Sequence, residues 1–138
     1  DLYFAQKKYG SYKINSSSKL IDLKKSQKLF VSNQSNITRI IGSRSHSNQS
    51  FDSWVNQNFP NSEVVQAGSS LKFCLIAEGV ADIYPRFGPT SEWDIAAGHI
   101  IVDEAGGRVN TFQNIEISYN SKEDLLNPQF YAIGNYKF

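Results

Sequence analysis

The order of apolar and polar residues predicts short strands in the first third of the chain. The runs "LYFAQ" and "GSYKI", rich in Tyr, Phe and Ile, surround the turn-like segment "KKYG", and the runs "KLIDL" and "KLFVS" follow them. After the polar loop "SNQSN", the β-branched run "ITRIIGSR" is typical of a buried strand. The pattern predicts an antiparallel hairpin with an extra strand, and then a buried strand from residue 37.

The rest of the chain alternates between helical and extended patterns. Helical spacing predicts a helix in "SFDSWVNQNF" and a buried helix in "SSLKFCLIAEG", which Ser69 or Ser70 opens and Gly79 ends. Strands are predicted at "EVVQAG", "VADIYPRF", "RVNTF" and "FYAIGN", with Pro85 at an edge or an end of its strand. A third helix in "SEWDIAAGHIIVDEAGG" is expected to bury one apolar stripe, which consists of Trp93, Ala96, Ala97, Ile100, Ile101 and Ala105. This alternation predicts an α/β fold, a layered α/β sandwich with a mixed sheet.

Composition limits the classes of function. The 138 residues are 40% hydrophobic and 13% aromatic, which is enough for one compact domain with a core. Lys and Arg number 14 against 13 acids, so the chain lacks the excess of basic residues typical of proteins that bind a nucleic-acid polymer. No apolar run approaches the roughly 20 residues of a transmembrane segment.

The single cysteine, Cys74, lies in an apolar run and is expected to be a small buried hydrophobe rather than a nucleophile. Because one cysteine cannot form an intrachain disulfide and no signal peptide opens the chain, we expect a reducing, cytoplasmic compartment. The chain begins at Asp1 and contains no Met, which we interpret as the sequence of a fragment or a processed piece.

Asp94 follows Trp93 at the start of the third predicted helix, and two interpretations of it stay open. The pattern Ser91-Glu92-Trp93-Asp94 fits S-x-x-D, so Asp94 is expected to cap the helix. Alternatively, the carboxylate holds a metal ion, but Mg²⁺ takes several oxygen ligands, so further carboxylates would have to converge on it.

Donor-rich segments follow several predicted strands. Ser69 and Lys72 lie where a strand gives way to a helix, His46 lies in "GSRSH" with Arg44 and Ser45, and Arg86 ends "IYPR". Each has an ordinary alternative, namely a helix cap with a solvated lysine, a polar loop or a surface arginine. Together they indicate a ligand site, because strand ends in α/β layers are where ligands usually bind.

The segment "GSSLKFCLIAEGVADIYPRFGPTSEWDIAAGHIIVDEAGG" resembles the C-terminal half of the inositol monophosphatase-like, lithium-sensitive sugar phosphatases, whose second signature is similar to its W-D-x-A-A-G…E-A-G-G element. Within that superfamily, "GSSLK", "SRSH" and "YPRF" are similar to the 3'(2'),5'-bisphosphate nucleotidases. The resemblance implies the C-terminal part of the sugar phosphatase fold. It also implies Mg²⁺-dependent hydrolysis of the 3'-phosphate of adenosine 3',5'-bisphosphate to AMP, in sulfur metabolism.

The resemblance also implies roles for individual residues. His46, Ser69, Lys72 and Arg86 would hold the nucleotide, and Asp94 would contact the substrate and bind Mg²⁺. The family's other metal ligands, an upstream Glu and an Asp-Pro-x-Asp-Gly-Thr motif, do not occur in this chain. We therefore assign no catalytic residue within it and expect the isolated chain to be inactive.

This departure from the family pattern leads to a prediction about domains and partners. Residues 1–36 are predicted to be the last strands of an otherwise missing N-terminal domain, and residues 37–138 a C-terminal α/β domain. The expected partners are adenosine 3',5'-bisphosphate or AMP, and either that N-terminal domain or a second copy of the chain. Two alternatives stay open: an inositol or sugar monophosphatase fragment, against which Lys72 argues, and a non-catalytic nucleotide-binding module.

Overall fold

The computed structural model describes residues 1–15, 22–43 and 49–136. A short 3₁₀ turn at Leu23–Lys25 lies between the second and third strands. The strands and helices are β1 (Leu2–Gln6), β2 (Gly10–Ile14), β3 (Gln27–Lys28), β4 (Arg39–Ser43), α1 (Gln49–Asn58), β5 (Glu63–Ala67), α2 (Leu71–Ala77), β6 (Ile83–Arg86), α3 (Glu92–Glu104), β7 (Arg108–Thr111) and β8 (Phe130–Ile133).

The strands form two sheets. An antiparallel sheet has the order β1-β2-β3, and a five-stranded sheet has the order β5-β4-β6-β8-β7. In the larger sheet β4 pairs in parallel with β5 and β6, whereas β8 pairs antiparallel with β6 and β7. The sheet is therefore mixed, and the predicted α/β fold class is confirmed.

Alternation along the strands divides the core between the two faces of the five-stranded sheet. Ile40 and Ile83 point to one face, where α1 covers them through Val55. Ile41 and Tyr84 point to the other face, where they pack with residues of α2 and α3. The layers are therefore α1, the five-stranded sheet, and then α2 with α3.

The small sheet covers the remaining side of α2 and α3. The Glu104 carboxylate at the end of α3 accepts hydrogen bonds from the backbone amides of Lys8 and Gly10, at 2.8 and 2.9 Å. Glu78, which follows α2, accepts from the Tyr3 hydroxyl at 2.6 Å and from Lys13 Nζ at 2.8 Å. These bonds fix the β1–β2 hairpin to the ends of both helices.

The predicted apolar stripe of α3 is wrong for half of its members. Trp93 is 69% exposed, and Ala96 and Ala97 are exposed as well, while the buried face carries Ile95 and Val102. The helix is apolar on more than one face, so periodicity alone does not select the one that packs.

Two strand predictions also need correction, and the prediction for Pro85 holds in one of its two forms. The run "KLIDL" does not form a strand within its described part, because Asp22 caps the 3₁₀ turn by accepting from the Lys24 amide. Only Lys28 of "KLFVS" lies in a strand. Pro85 is not on an edge strand, since β6 lies between β4 and β8, but it is next to the end of β6. The β4–β6 ladder consists of the pair Ile40 and Ile83, so it does not need the missing amide of Pro85.

A buried acid joins the loop before β6 to β4. Asp82 is fully buried and accepts hydrogen bonds from the Thr38 amide (2.9 Å), the Arg39 amide (2.8 Å), Arg39 Nη2 (2.5 Å) and the Tyr136 hydroxyl (2.8 Å). Burial alone would raise the pKa of Asp82, but these donors, Arg39 foremost, lower it to about 2. The acid is therefore an ionised structural group at neutral pH.

Cys74 is buried in α2, as the sequence predicts. Burial, and then the negative charge of Glu78, raise the pKa of its thiol to about 11, so the reactive thiolate is scarce at neutral pH. Among the described helices, none is long and apolar enough to span a bilayer.

Candidate functional site

Four of the five predicted ligand residues lie around one pocket of about 500 Å³. Ser69 follows β5, Lys72 lies in the first turn of α2, Arg86 ends β6, and Asp94 lies in the first turn of α3. Because β4, β5 and β6 are parallel, their carboxyl ends meet at this edge of the sheet. The fifth, His46, lies outside the described residues, as do Arg44 and Ser45.

Lys72 is the most buried cation at the pocket, at 6% exposure. Its Nζ lies 5.2 Å from the ring centre of Tyr84, a cation–π contact. Within the described chain, no carboxylate lies within 4.0 Å of it. Burial and the nearby charge of Arg86 lower the pKa of Lys72. A buried lysine beside a second cation and without an acidic partner favours an anionic ligand.

The loop after β6 holds the side chain of Arg86. Its Nε donates to the carbonyl of Gly88 at 3.2 Å, and its Nη2 donates to the carbonyl of Pro89 at 3.2 Å. These bonds fix the guanidinium beside the pocket, so little side-chain entropy would be lost when it contacts a phosphate.

The turn before α2 has a constrained backbone. Ser69 has a φ of +50°, a left-handed conformation that is uncommon for a residue with a side chain. Ser70 occupies the predicted N-cap position, but its side chain makes no capping hydrogen bond. The turn thus keeps both serines at the pocket wall.

Asp94 caps α3, as its sequence context predicts. The backbone amide of Ser91 donates to Asp94 Oδ2 at 2.8 Å, which fixes the carboxylate at the helix N-terminus. The same side chain lines the pocket, where it is the one acid among the described lining residues. A Mg²⁺ ion takes about six oxygen ligands, so these residues offer it one carboxylate and do not form a complete site.

Sequence reasoning missed two aromatic residues of the pocket. Tyr84 packs under Lys72, and Trp93 is exposed at the wall instead of being buried in the core. Trp93 directly precedes Asp94, so both residues lie in the first turn of α3. A site at Asp94 therefore predicts that Trp93 lies near the pocket. Tyr84 begins the "YPRF" segment, two residues before Arg86, and this position at a strand end is a signal for the pocket.

A second pocket, of about 320 Å³, adjoins the first. The two share Lys72, Tyr84, Arg86 and Pro89 in their walls. The remaining walls of the second pocket are mostly apolar, formed by Ile41, Phe51, Pro85 and Phe87 with Ser43 and Gly88. The two cations therefore lie between a cleft of mixed polarity and a mostly apolar one, an arrangement suited to a ligand with an anionic group and a flat apolar part.

Known proteins resemble this chain in sequence and in fold. The chain is 46% identical over 91 residues to the 3'(2'),5'-bisphosphate nucleotidase CysQ of Salmonella typhimurium, an alignment that covers 66% of this chain and 37% of that protein. It is 32% identical over 136 residues to the Haemophilus influenzae protein of the same name, covering 99% of this chain and 49% of that protein. The chain thus spans between about a third and a half of the length of these curated relatives.

The comparison with solved structures agrees. The crystal structure of CysQ from Bacteroides thetaiotaomicron, described as a bacterial member of the inositol monophosphatase family, superposes with a TM-score of 0.86 at 37% identity. The superposition covers 98% of this chain and 54% of that one. Residues 1–132 also match the sequence profile of the inositol monophosphatase family. The resemblance predicted from sequence is therefore confirmed, and this chain belongs to the inositol monophosphatase family.

Proposed function

We propose that this chain forms the nucleotide-binding part of a Mg²⁺-dependent 3'(2'),5'-bisphosphate nucleotidase, whose substrate is adenosine 3',5'-bisphosphate and whose product is AMP. The observation that carries the proposal is the pairing of buried Lys72 with Arg86 in one pocket, where no described carboxylate neutralises Lys72. The relatives named bisphosphate nucleotidases support the choice of ligand.

In this proposal the two cations hold a phosphate group of the nucleotide. Lys72 contributes a point charge from the first turn of α2, while Arg86 contributes a planar fork of donors suited to phosphate oxygens. Ser69 donates from the neighbouring turn, and His46 supplies a further donor. The apolar pocket beside Phe51 and Phe87 receives the flat part of the ligand.

Asp94 would still accept the hydrogen bond from the Ser91 amide through Oδ2 and would offer its other oxygen to Mg²⁺. When bound, Mg²⁺ supplies neutralising charge on the phosphoryl oxygens. The family is generally metal-dependent, but Asp94 alone cannot complete the coordination of such an ion. We therefore propose that other carboxylates join Asp94 in a longer protein or an assembly, and that the isolated chain binds nucleotide without hydrolysing it.

The same reasoning leads us to propose the domain division. Residues 1–36 would be the last strands of a preceding domain, and residues 37–138 would form the C-terminal α/β domain. The separate sheet of β1, β2 and β3 supports this division, since it shares no described strand pairing with the larger sheet. We also propose a cytoplasmic setting and, as the resemblance implies, a role in removing the nucleotide by-product of sulfate assimilation.

The test is isothermal titration of the 138-residue chain with adenosine 3',5'-bisphosphate. Lys72→Gln and Arg86→Gln are each expected to weaken binding by about tenfold, the effect of one charge-assisted contact. The matched control is Lys25→Gln, because Lys25 is exposed and makes only a 3.8 Å surface ion pair with Asp22. Equal affinity of all three variants would contradict the proposal.

Two competing functions give different results in the same experiment. Tighter binding of inositol monophosphate than of the bisphosphate would favour an inositol or sugar monophosphatase. A non-catalytic binding module is supported by Asp94, which is the one carboxylate among the described residues that line the pocket. It would bind nucleotide without turnover even when a longer protein containing this sequence is assayed with Mg²⁺, whereas the nucleotidase would release phosphate there.

A further inference from the structure

A second group of metal-ligating side chains lies outside the phosphate pocket. His99 and Asp103 are one turn apart on α3, and Glu116 comes from the connection between β7 and β8. One candidate ligand atom from each of the three lies within 4.8 Å of the other two. These side chains line a pocket of about 300 Å³ that also contains Lys7 and Tyr119.

The imidazole of His99 is buried and incompletely bonded. The residue is 5% exposed, and its Nδ1 lies 2.7 Å from the Tyr119 hydroxyl. Its Nε2 lies 3.2 Å from Asp103 Oδ2, yet within the described chain this buried nitrogen has no hydrogen-bond partner, because the carboxylate is off the direction of a ring N–H. A buried polar atom without a hydrogen bond destabilises the folded state, so the presence of this nitrogen beside two carboxylates needs an explanation.

The orientation of the ring matches that of a metal ligand. A ligating histidine coordinates through one ring nitrogen and donates a hydrogen bond from the other. In the tautomer whose Nδ1–H donates to the Tyr119 oxygen, Nε2 carries a lone pair that is available to an ion in the pocket lined by Asp103 and Glu116.

The donor set indicates the class of metal. One imidazole nitrogen with two carboxylate oxygens suits Zn²⁺, which binds three protein ligands and keeps a fourth position for water. Mg²⁺ prefers an all-oxygen shell and fits this set less well. Asp103 is half-buried and Glu116 is exposed, so an ion can enter from solvent.

We propose that His99, Asp103 and Glu116 bind a Zn²⁺ ion, with Tyr119 as a positioning residue and water at the open position. This site is independent of the proposed nucleotidase activity, because Asp94, Lys72 and Arg86 line a different pocket. It uses a face of α3 that the phosphate pocket leaves free.

The test is a calorimetric titration, in which Zn²⁺ alone is added to the chelator-treated 138-residue chain and the heat of binding is measured. One ion per chain is expected, and Asp103→Asn and Glu116→Gln should each weaken binding at least tenfold. Tyr119→Phe should weaken it by about tenfold, the usual effect of an outer partner. The controls Glu123→Gln, an exposed acid elsewhere, and Asp94→Asn are expected to bind Zn²⁺ as the native chain does.

Spectroscopy separates metal binding from a simple His99–Asp103 ion pair. Zn²⁺ should shift the ¹⁵N resonance of His99 Nε2 to that of a coordinated nitrogen and fix the Nδ1–H tautomer. The variant His99→Gln should lose Zn²⁺ binding. Because Glu116 is exposed, Glu116→Gln keeps the test valid even if His99→Gln does not fold. The proposal would be overturned if the chain has no saturable Zn²⁺ site. It would also be overturned if Asp94→Asn loses Zn²⁺ binding while Glu116→Gln keeps it.

Discussion

Gly98 on α3 lies directly against the ring of Phe73 on α2. A Cβ atom added at Gly98 would lie 2.5 Å from Phe73 Cγ and 2.9 Å from Phe73 Cβ, closer than such atoms approach in proteins. The contact lets the two helices pack closely. It also sets the rotation of α3, so that Trp93 faces the pocket while Ile95 enters the core.

Gly98→Ala is therefore expected to destabilise the chain. Overpacking in a core typically costs about 1–3 kcal/mol, and the better helix propensity of Ala returns about 1 kcal/mol of it. We expect a net loss of up to roughly 2 kcal/mol in the free energy of unfolding, measured by urea denaturation. The exposed control Ala96→Ser should stay within about 0.5 kcal/mol of the native value. A Gly98→Ala chain more stable than the native one would show that the helices do not pack this closely.

Asp82 is expected to dominate acid sensitivity. Its carboxyl pKa is lowered from 3.8 to about 2, so the unfolded chain binds a proton that the folded chain rejects between these values. Its contribution to stability is complete above about pH 4 and is lost as the pH falls toward 2; by the pKa difference it amounts to roughly 2 kcal/mol.

Urea unfolding of native and Asp82→Asn chains from pH 2 to 6 measures this contribution. The difference in unfolding free energy between them should be largest at the upper end of this range and shrink as the pH falls below about 4. A difference that does not change with pH would contradict an ionised Asp82 held by Arg39.

Asp94→Asn separates the capping role from the proposed metal role. The side-chain oxygen of Asn can still accept from the Ser91 amide, so the free energy of unfolding should fall by only about 0.3–1 kcal/mol, the usual contribution of an acid at a helix N-terminus. Nucleotide binding without metal should be unchanged or tighter, because a negative charge leaves the pocket. Any strengthening of binding by Mg²⁺ should disappear, as measured by calorimetry with and without the ion.

The matched control for Asp94→Asn is Asp52→Asn. Asp52 is an exposed acid in the first turn of α1, so the substitution removes a comparable charge at a helix start outside the pocket. It should leave the Mg²⁺ effect intact. If Mg²⁺ strengthens nucleotide binding equally in both variants, Asp94 is not a metal ligand.

The sequence by itself predicted the features that depend on neighbouring residues or on a regular order of strands and helices. The cap at Asp94 depends on residues three positions apart, and the structure has the Ser91–Asp94 hydrogen bond that the spacing predicts. The alternation of strands with helices predicted the mixed sheet, and parallel strands bring their carboxyl ends to one edge. For that reason the sequence alone predicts that Ser69, Lys72 and Arg86 lie at one site.

Only the tertiary structure decided the features that depend on contacts between distant segments. The apolar residues of α3 do not mark a single face, and the contact between Gly98 and Phe73 selects which one is buried. Glu116 meets His99 only because the β7–β8 connection folds back over α3, and no spacing along the chain encodes that meeting. Local sequence thus set the elements and the cap, while packing between segments set the exposed aromatic wall at Trp93 and the second cluster of ligands.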